Sequence, residues 1–263
     1  DRMSSLQQQL AALAGATNQV EDLRKASILF DEKEIQRITT QTIFSIGLNG
    51  FMELVKLNEQ FSPYEKTLFS KSSVQFNRQL QTKSENKKLD LALSNFLTLL
   101  SPYLLLKPAQ KAFEYLIRRY HVQAYNVDAV MACALPFHAT HVFTRILRTL
   151  DLKNSRWEFL TEAQKQSEDG ISRALLVQGC IRDNGLITFI AELCKASVKK
   201  CENFTTALVF YTVMSLEIIE TVPALQEKLV ATLLPHLIFG IQYQEKSSLQ
   251  TASYMIISQL ASK

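Results

Sequence analysis

The chain has 263 residues, 47% of them apolar and 21% charged, with a formal net charge of +4. This is enough apolar material for a sizeable core and excludes wholesale disorder. Its 7 glycines and 6 prolines make up about 5% of the chain, against the roughly 12% of average usage. That shortage argues against turn-rich sheets and against glycine-loop nucleotide folds, and for helices.

The longest charge-free stretch, residues 91–106, contains Ser94, Asn95, Thr98 and the break Ser101-Pro102. It falls short of the ~18–20 apolar residues a membrane span requires, so no transmembrane helix and no membrane partner are expected. The N-terminus lacks a basic region followed by an apolar core. Asp1-Arg2 ahead of Met3 reads as a cloning scar, with the native start expected at Met3. Cys133, Cys180, Cys194 and Cys201 form no C-x-x-C pair and read as buried small hydrophobes. The sequon at Asn203 sits where a helix start is wanted and is expected to be idle.

In chain order, the spacing of Ile43, Ile46, Phe51 and Leu54 predicts a helix from Thr40 to Leu57. Gly47 and Gly50 fall within its apolar stripe, which suggests that a neighbouring helix approaches closely there. Ser62-Pro63-Tyr64-Glu65 has the form of a capping box and predicts a short helix starting at Ser62. Ser84 to Ser101 reads as a long helix with Leu89, Leu93, Phe96, Leu97 and Leu100 inward, stopped by Pro102. Pro108 opens the next helix. Ala109, Ala112, Phe113, Leu116, Ile117 and Tyr120 form its buried stripe, while Lys111, Glu114 and Arg118 share the opposite face, expected to be solvated. Asn126 is placed to cap a helix that meets Pro136, and Thr140 to cap one carrying Val142, Phe143, Ile146, Leu147 and Leu150.

Residues 153–170 are polar apart from Trp157, Phe159 and Leu160, and read as a loop between two helical blocks, 3–152 and 171–263. In the second block Ser172 begins a helix and Asn184-Gly185 is expected to stop it. Apolar helices follow over Leu186–Val198 and Thr205–Thr221, and Pro223 is expected to open another. From Leu233 the chain resembles one HEAT repeat. A first helix carries Leu233-Leu234-Pro235 and Leu237; a second carries Leu249-Gln250-Thr251-Ala252, Ile256 and Leu260, with Gln250 where that family has arginine. The expectation is an all-α fold, an α-solenoid of antiparallel HEAT-like helical pairs of about 40 residues each.

Nucleotide-loop, zinc-protease and nucleophile-elbow motifs are missing, so neither catalysis nor a cofactor or small-molecule substrate is expected. His138 and His141, near Cys133 and His121, have a spacing that zinc can use. With Asp128 the one acid nearby and no second cysteine, a helix-capping turn after Pro136 is the favoured reading, with no metal. The charge distribution says more. Residues 71–123 hold nine cations, Lys71, Arg78, Lys83, Lys87, Lys88, Lys107, Lys111, Arg118 and Arg119, against Glu85, Asp90 and Glu114, a net of +6. Such a segment suits an acidic protein surface, a nucleic-acid backbone or plain solvation. Lys83, Lys87, Lys88, Lys107, Lys111, Arg118 and Arg119 are the candidate contacts. Its aromatics take core positions, so no base-stacking platform is indicated.

Several blocks share the order and wording of one family: Ser4-Ser5-Leu6-Gln7-Gln8-Gln9-Leu10, Ser27-Ile28-Leu29-Phe30-Asp31, Thr67-Leu68-Phe69-Ser70, Leu100 to Asn126, and Ala134 to Leu147. The chain thus resembles the N-terminal domain of the large HEAT-repeat subunit of the small-subunit processome, the U three small nucleolar RNA-associated protein ten family. Members are much longer, so the chain reads as an isolated N-terminal piece. The resemblance implies a nucleolar, non-enzymatic scaffold in the early subcomplex that joins ribosomal RNA transcription to processing. It implies as partners the other subunits, propeller proteins and their helical tails. A helical-repeat RNA-binding scaffold, contacting pre-ribosomal or small nucleolar RNA weakly through residues 71–123, is the alternative.

Overall fold

The structure, a computed structural model, describes residues 26–263. The block at Ser4–Leu10 and the pair Asp1-Arg2 lie outside the described residues. Among the described residues the secondary structure is entirely helical: α1 Thr40–Leu57, α2 Lys83–Leu100, α3 Lys107–Tyr120, α4 Val127–Ala134, α5 His141–Thr149, α6 Arg173–Arg182, α7 Asn184–Lys200, α8 Thr205–Thr221, α9 Glu227–Gln242 and α10 Ser247–Ser262, with single turns and 3-10 segments between them. No helix among the described residues is long and apolar enough to cross a membrane. The chain divides into two compact units, the first comprising residues 26–93, 106–127 and 149–151, and the second residues 94–105, 128–148 and 152–263.

The first unit is centred on the pairing of α1 with α3. Gly47 and Gly50 permit it. A Cβ at Gly47 would collide with the Tyr115 side chain, and one at Gly50 with the Pro108 carbonyl and Lys111. The two glycines are therefore the points of closest approach, Gly47 against a side chain and Gly50 against backbone. Phe51 stacks on Phe69 at 4.3 Å. Tyr115 shares a 2.5 Å hydrogen bond with Ser73, and the Tyr120 hydroxyl donates to the Leu68 carbonyl at 2.7 Å. These bonds satisfy the polar tips of two large rings that the core otherwise buries. Burial pushes the Tyr115 and Tyr120 hydroxyls well above their ordinary pKa, so both stay neutral.

The second unit is a two-row stack. In it α6 packs on α8 and α8 on α10, α7 packs on α9, and α6·α7, α7·α8 and α9·α10 join the rows. Each helix contacts its sequence neighbour or the next but one, which is the contact pattern of helical repeats. Pro235 lies inside α9 and Gln250 on α10 donates from Nε2 to the Ile241 carbonyl at 2.9 Å. An amide at the position of the family's arginine thus ties the second helix of the pair to the end of the first. Gly240 faces the Ser253 side chain too closely for any Cβ.

Several local expectations are corrected. The segment expected to start helically at Ser62 is a 3-10 helix from Glu59 to Lys66, begun by Asn58, whose side chain accepts from the Gln60 amide. The earlier cap takes the chain end before the Ser62 box can form. Helix α2 starts behind Thr82, where Thr82 and Glu85 form a reciprocal capping pair. The helix begun behind Ser172 does end next to Asn184-Gly185, at Arg182, but Asn-Gly is not its C-terminal cap. The Asp183 carboxylate accepts from the Gly185 amide at 2.8 Å and makes Asn-Gly the first turn of α7. Pro223 does not open a helix either, since α9 starts at Glu227 behind Gln226. Residues 153–170 carry a 3-10 turn, Glu158–Leu160, and a short helix, Thr161–Gln166. Trp157 and Leu160 are buried there, and the Trp157 indole donates to Asp128 at 2.8 Å.

Candidate interaction surface

All seven candidate cations lie in the first unit, on α2 and α3. Lys83, Lys87 and Lys88 project from the first turns of α2, and Lys107 from the first residue of α3; all four are exposed. Lys111 is half-buried and engaged, donating to Asn49 Oδ1 at 3.0 Å and lying 3.5 Å from Glu53.

The face of α3 expected to be solvated is not. Glu114 is fully buried, and its Oε2 accepts from the backbone amides of Ile28 at 2.8 Å and Leu29 at 3.3 Å. The segment 27–30 thus packs on α3 at Glu114, in addition to the contact of this helix with α1. An amphipathic spacing cannot reveal a second covering segment, because a buried carboxylate serving backbone amides has the same letter as a solvated one. Burial pushes the Glu114 carboxyl above its ordinary pKa, opposed by the two amides and by the charge of Arg118.

Arg118 and Arg119, both half-buried, reach the wall of a cavity of about 610 Å3 that also takes in Arg78. Burial lowers the pKa of all three guanidinium groups, yet they remain cations at any accessible pH. Arg78 is heavily committed. Its guanidinium bonds Asp90, donates to the Tyr120 carbonyl at 3.3 Å and Asn126 at 3.2 Å, and stacks 4.5 Å over the Tyr125 ring. Asn126 precedes α4 as expected, but its side chain closes this network through Asp90 at 2.8 Å. Arg119 differs. Its electrostatic neighbours are the Tyr115 and Tyr120 hydroxyls, and its Nε is buried without an acceptor among the described residues.

The structure therefore splits the candidates. Arg118 and Arg119 line the cavity; Lys83, Lys87, Lys88, Lys107 and Lys111 do not. Sequence reasoning missed other lining residues, Gln75, Asn77, Gln79 and Tyr125. Gln75, Asn77 and Gln79 come from the 3-10 turns Lys71–Gln75 and Arg78–Leu80 and the residues between them. Such turns have no hydrophobic period, so nothing in the sequence marks their side chains.

The four cysteines are buried thiols, and burial raises the pKa of each, that of Cys201 to about 11. Among the described residues no group of three His, Cys, Asp or Glu is placed to hold a metal ion. His138 is buried with Nδ1 3.3 Å from the Leu135 carbonyl, and Thr140 caps α5 by accepting from the Phe143 amide.

No family model matches the chain. Curated relatives do. The chain is 38% identical over 276 residues to the HEAT repeat-containing protein 1 of Homo sapiens, covering 99% of the chain and 13% of that protein. It is 34% identical over 269 residues to the HEAT repeat-containing protein 1 homolog of Drosophila melanogaster, covering 99% of the chain and 13% of the relative. It is 30% identical over 275 residues to the U3 small nucleolar RNA-associated protein 10 of Candida albicans, covering 99% of the chain and 15% of the relative. The chain thus spans 13–15% of the length of these relatives. With helical pairs in two rows and this similarity along nearly all of its length, the chain belongs to the family of HEAT repeat-containing protein 1 and U3 small nucleolar RNA-associated protein 10.

Proposed function

We propose that the chain is a non-enzymatic scaffold module in ribosome biogenesis, working in the nucleolus within the small-subunit processome and holding other subunits of the early pre-ribosomal RNA subcomplex. The observation that supports this reading is the similarity, over 99% of the chain, to a protein whose name ties it to U3 small nucleolar RNA. The fold fits the reading, because stacked helical pairs expose long side faces on a rigid frame and make binding surfaces without needing a catalytic cleft. The partners implied are propeller subunits and their helical tails. Capture of processome subunits by the chain, repeated after nuclease digestion, tests it. Subunits that persist after digestion support protein scaffolding, and loss of every subunit with the RNA overturns it.

The second reading is an RNA-binding scaffold using residues 71–123. Lys83, Lys87, Lys88 and Lys107 favour it, being exposed and free to meet phosphate groups without disturbing any core residue. This reading predicts RNA affinity of any sequence that falls steeply with salt.

A further inference from the structure

We propose that the arginine-lined cavity of the first unit is the seat of an acidic peptide segment, with a carboxylate received by Arg119 and an adjacent apolar side chain entering against Ile43 and Phe76. The inference deepens the scaffold reading and rests on it, in that it names the site and the chemistry of one protein partner.

Charge supports the assignment. Among the described residues the lining contains Arg78, Arg118 and Arg119 and neither aspartate nor glutamate. Arg78 is balanced by Asp90 just outside, and Glu114 sits beside Arg118 with its carboxylate already serving two backbone amides. Arg119 is left facing two neutral phenols, with a buried Nε that has no acceptor among the described residues. Arg119 as a whole remains half-exposed on the lining, and a planar carboxylate is the group that meets the open end of such a guanidinium with two parallel hydrogen bonds.

The rest of the lining favours a peptide over RNA. Ile38, Ile43, Phe76 and Tyr115 supply an apolar, largely buried wall that a sugar–phosphate chain has no group to fill. The side-chain amides of Gln75, Asn77 and Gln79 stand exposed on the cavity lining, where they can meet the donors and acceptors of an extended peptide backbone. Base stacking needs open aromatic faces. Here Phe76 packs on Tyr120 at 5.4 Å, and Tyr125, though 50% exposed, has one face covered by Arg78 at 4.5 Å, so one ring face at most is offered rather than a stacking platform. The exposed lysines of α2 and Lys107 are absent from the lining, so no track of cations leads a phosphate backbone into it. A cavity of about 610 Å3 is also the size of a seat for a few side chains rather than of a nucleic-acid channel.

The test uses the 263-residue chain and three labelled probes: a short peptide alternating Asp-Glu pairs with Leu, its counterpart with Asn-Gln in place of Asp-Glu, and oligouridylate. The acidic peptide should bind and the amide counterpart should not. Arg119→Gln should weaken binding roughly tenfold, the scale of one charge-assisted pair. Because a half-buried arginine also supports folding, the double variant Gln75→Glu/Gln79→Glu is measured beside it. It places two carboxylates at exposed lining positions and removes no core contact. It should keep or raise the melting temperature while weakening the acidic peptide roughly tenfold or more. Unchanged peptide binding by the double variant overturns the proposal, as does displacement of the peptide by oligouridylate, which would assign the cavity to RNA. The two levels separate in nuclease-treated extract. If the chain captures processome subunits yet shows no peptide binding, the scaffold reading stands and the cavity proposal falls. If it binds the peptide but captures no such subunit, the cavity proposal stands and the scaffold reading falls.

Discussion

Glu114 shows what a single letter conceals. Read by helical spacing it shares a solvated face with Lys111 and Arg118; in the folded chain it is a buried carboxylate that accepts from the amides of Ile28 and Leu29. Replacing it by alanine strands two buried N–H groups and should cost about 1–3 kcal/mol, read as a lower denaturant midpoint. Glu114→Gln keeps an acceptor and removes the charge, so it isolates the effect of pH. The folded-state pKa lies above the unfolded one because burial disfavours the carboxylate. The folded chain therefore holds this proton over a range where the unfolded chain has released it. This group's contribution is intact below the ordinary carboxylate value of about 4.3, and is lost as pH rises from there through the raised value. The stability of Glu114→Gln relative to the parent should accordingly improve between pH about 4 and neutrality. A pH-independent difference between the two chains would contradict the burial argument.

Among the elements, legibility follows the strength of the periodic signal. Helices α1 and α8 have their sequence-read limits, α2, α5 and α7 lie within two residues of theirs, and the HEAT-like pair is α9 and α10. Apolar stripes over four or more turns leave little choice. Termini were harder to read, because caps compete. Asp183 overrides the stop signal of Asn184-Gly185, and Asn58 pre-empts Ser62. Asp183→Ala should therefore cost about 1 kcal/mol and loosen the first turn of α7, seen as faster amide exchange at Gly185 and Leu186. Gly47 and Gly50 are the clearest success, since a glycine on a buried helical stripe has one physical excuse, a close neighbour. Gly47→Ala gains about 1 kcal/mol of helix propensity. It also drives a methyl group into Tyr115, which is 1% exposed and held at its tip by Ser73. Overpacking of about 1–3 kcal/mol should win, so the variant is less stable than the parent by thermal or urea unfolding. A more stable alanine variant would mean that α1 and α3 stand further apart.

At the scale of the whole molecule, the all-α class and paired-helix organisation follow from composition and stripes, whereas the sorting of the basic segment does not. A net charge is a sum over residues and is blind to which of them face inward. Burial and pairing withdraw Lys111, Arg78 and Arg118 from the solvated set, and leave Lys83, Lys87, Lys88 and Lys107 exposed. The triple reversal Lys83→Glu, Lys87→Glu, Lys88→Glu is therefore the clean probe of the RNA reading. None of the three touches the core, and exposed charges contribute within about 1 kcal/mol, so folding should be unaffected. Lys83 opens α2, where an acid suits the helix dipole better than a base, so stability should even rise by a few tenths of a kcal/mol. If these lysines contact phosphates, the slope of log affinity against log salt for single-stranded RNA should fall by roughly 0.7 per lost contact, about 2 in all. The scaffold reading predicts otherwise. Any RNA binding by the parent is weak and strongly salt-sensitive, the triple reversal abolishes it, and nuclease-resistant capture of processome subunits is unchanged, because a protein interface draws its affinity from buried anchors rather than from exposed lysines. Loss of those subunits together with the RNA in the reversed chain would move the function from protein scaffolding to RNA binding.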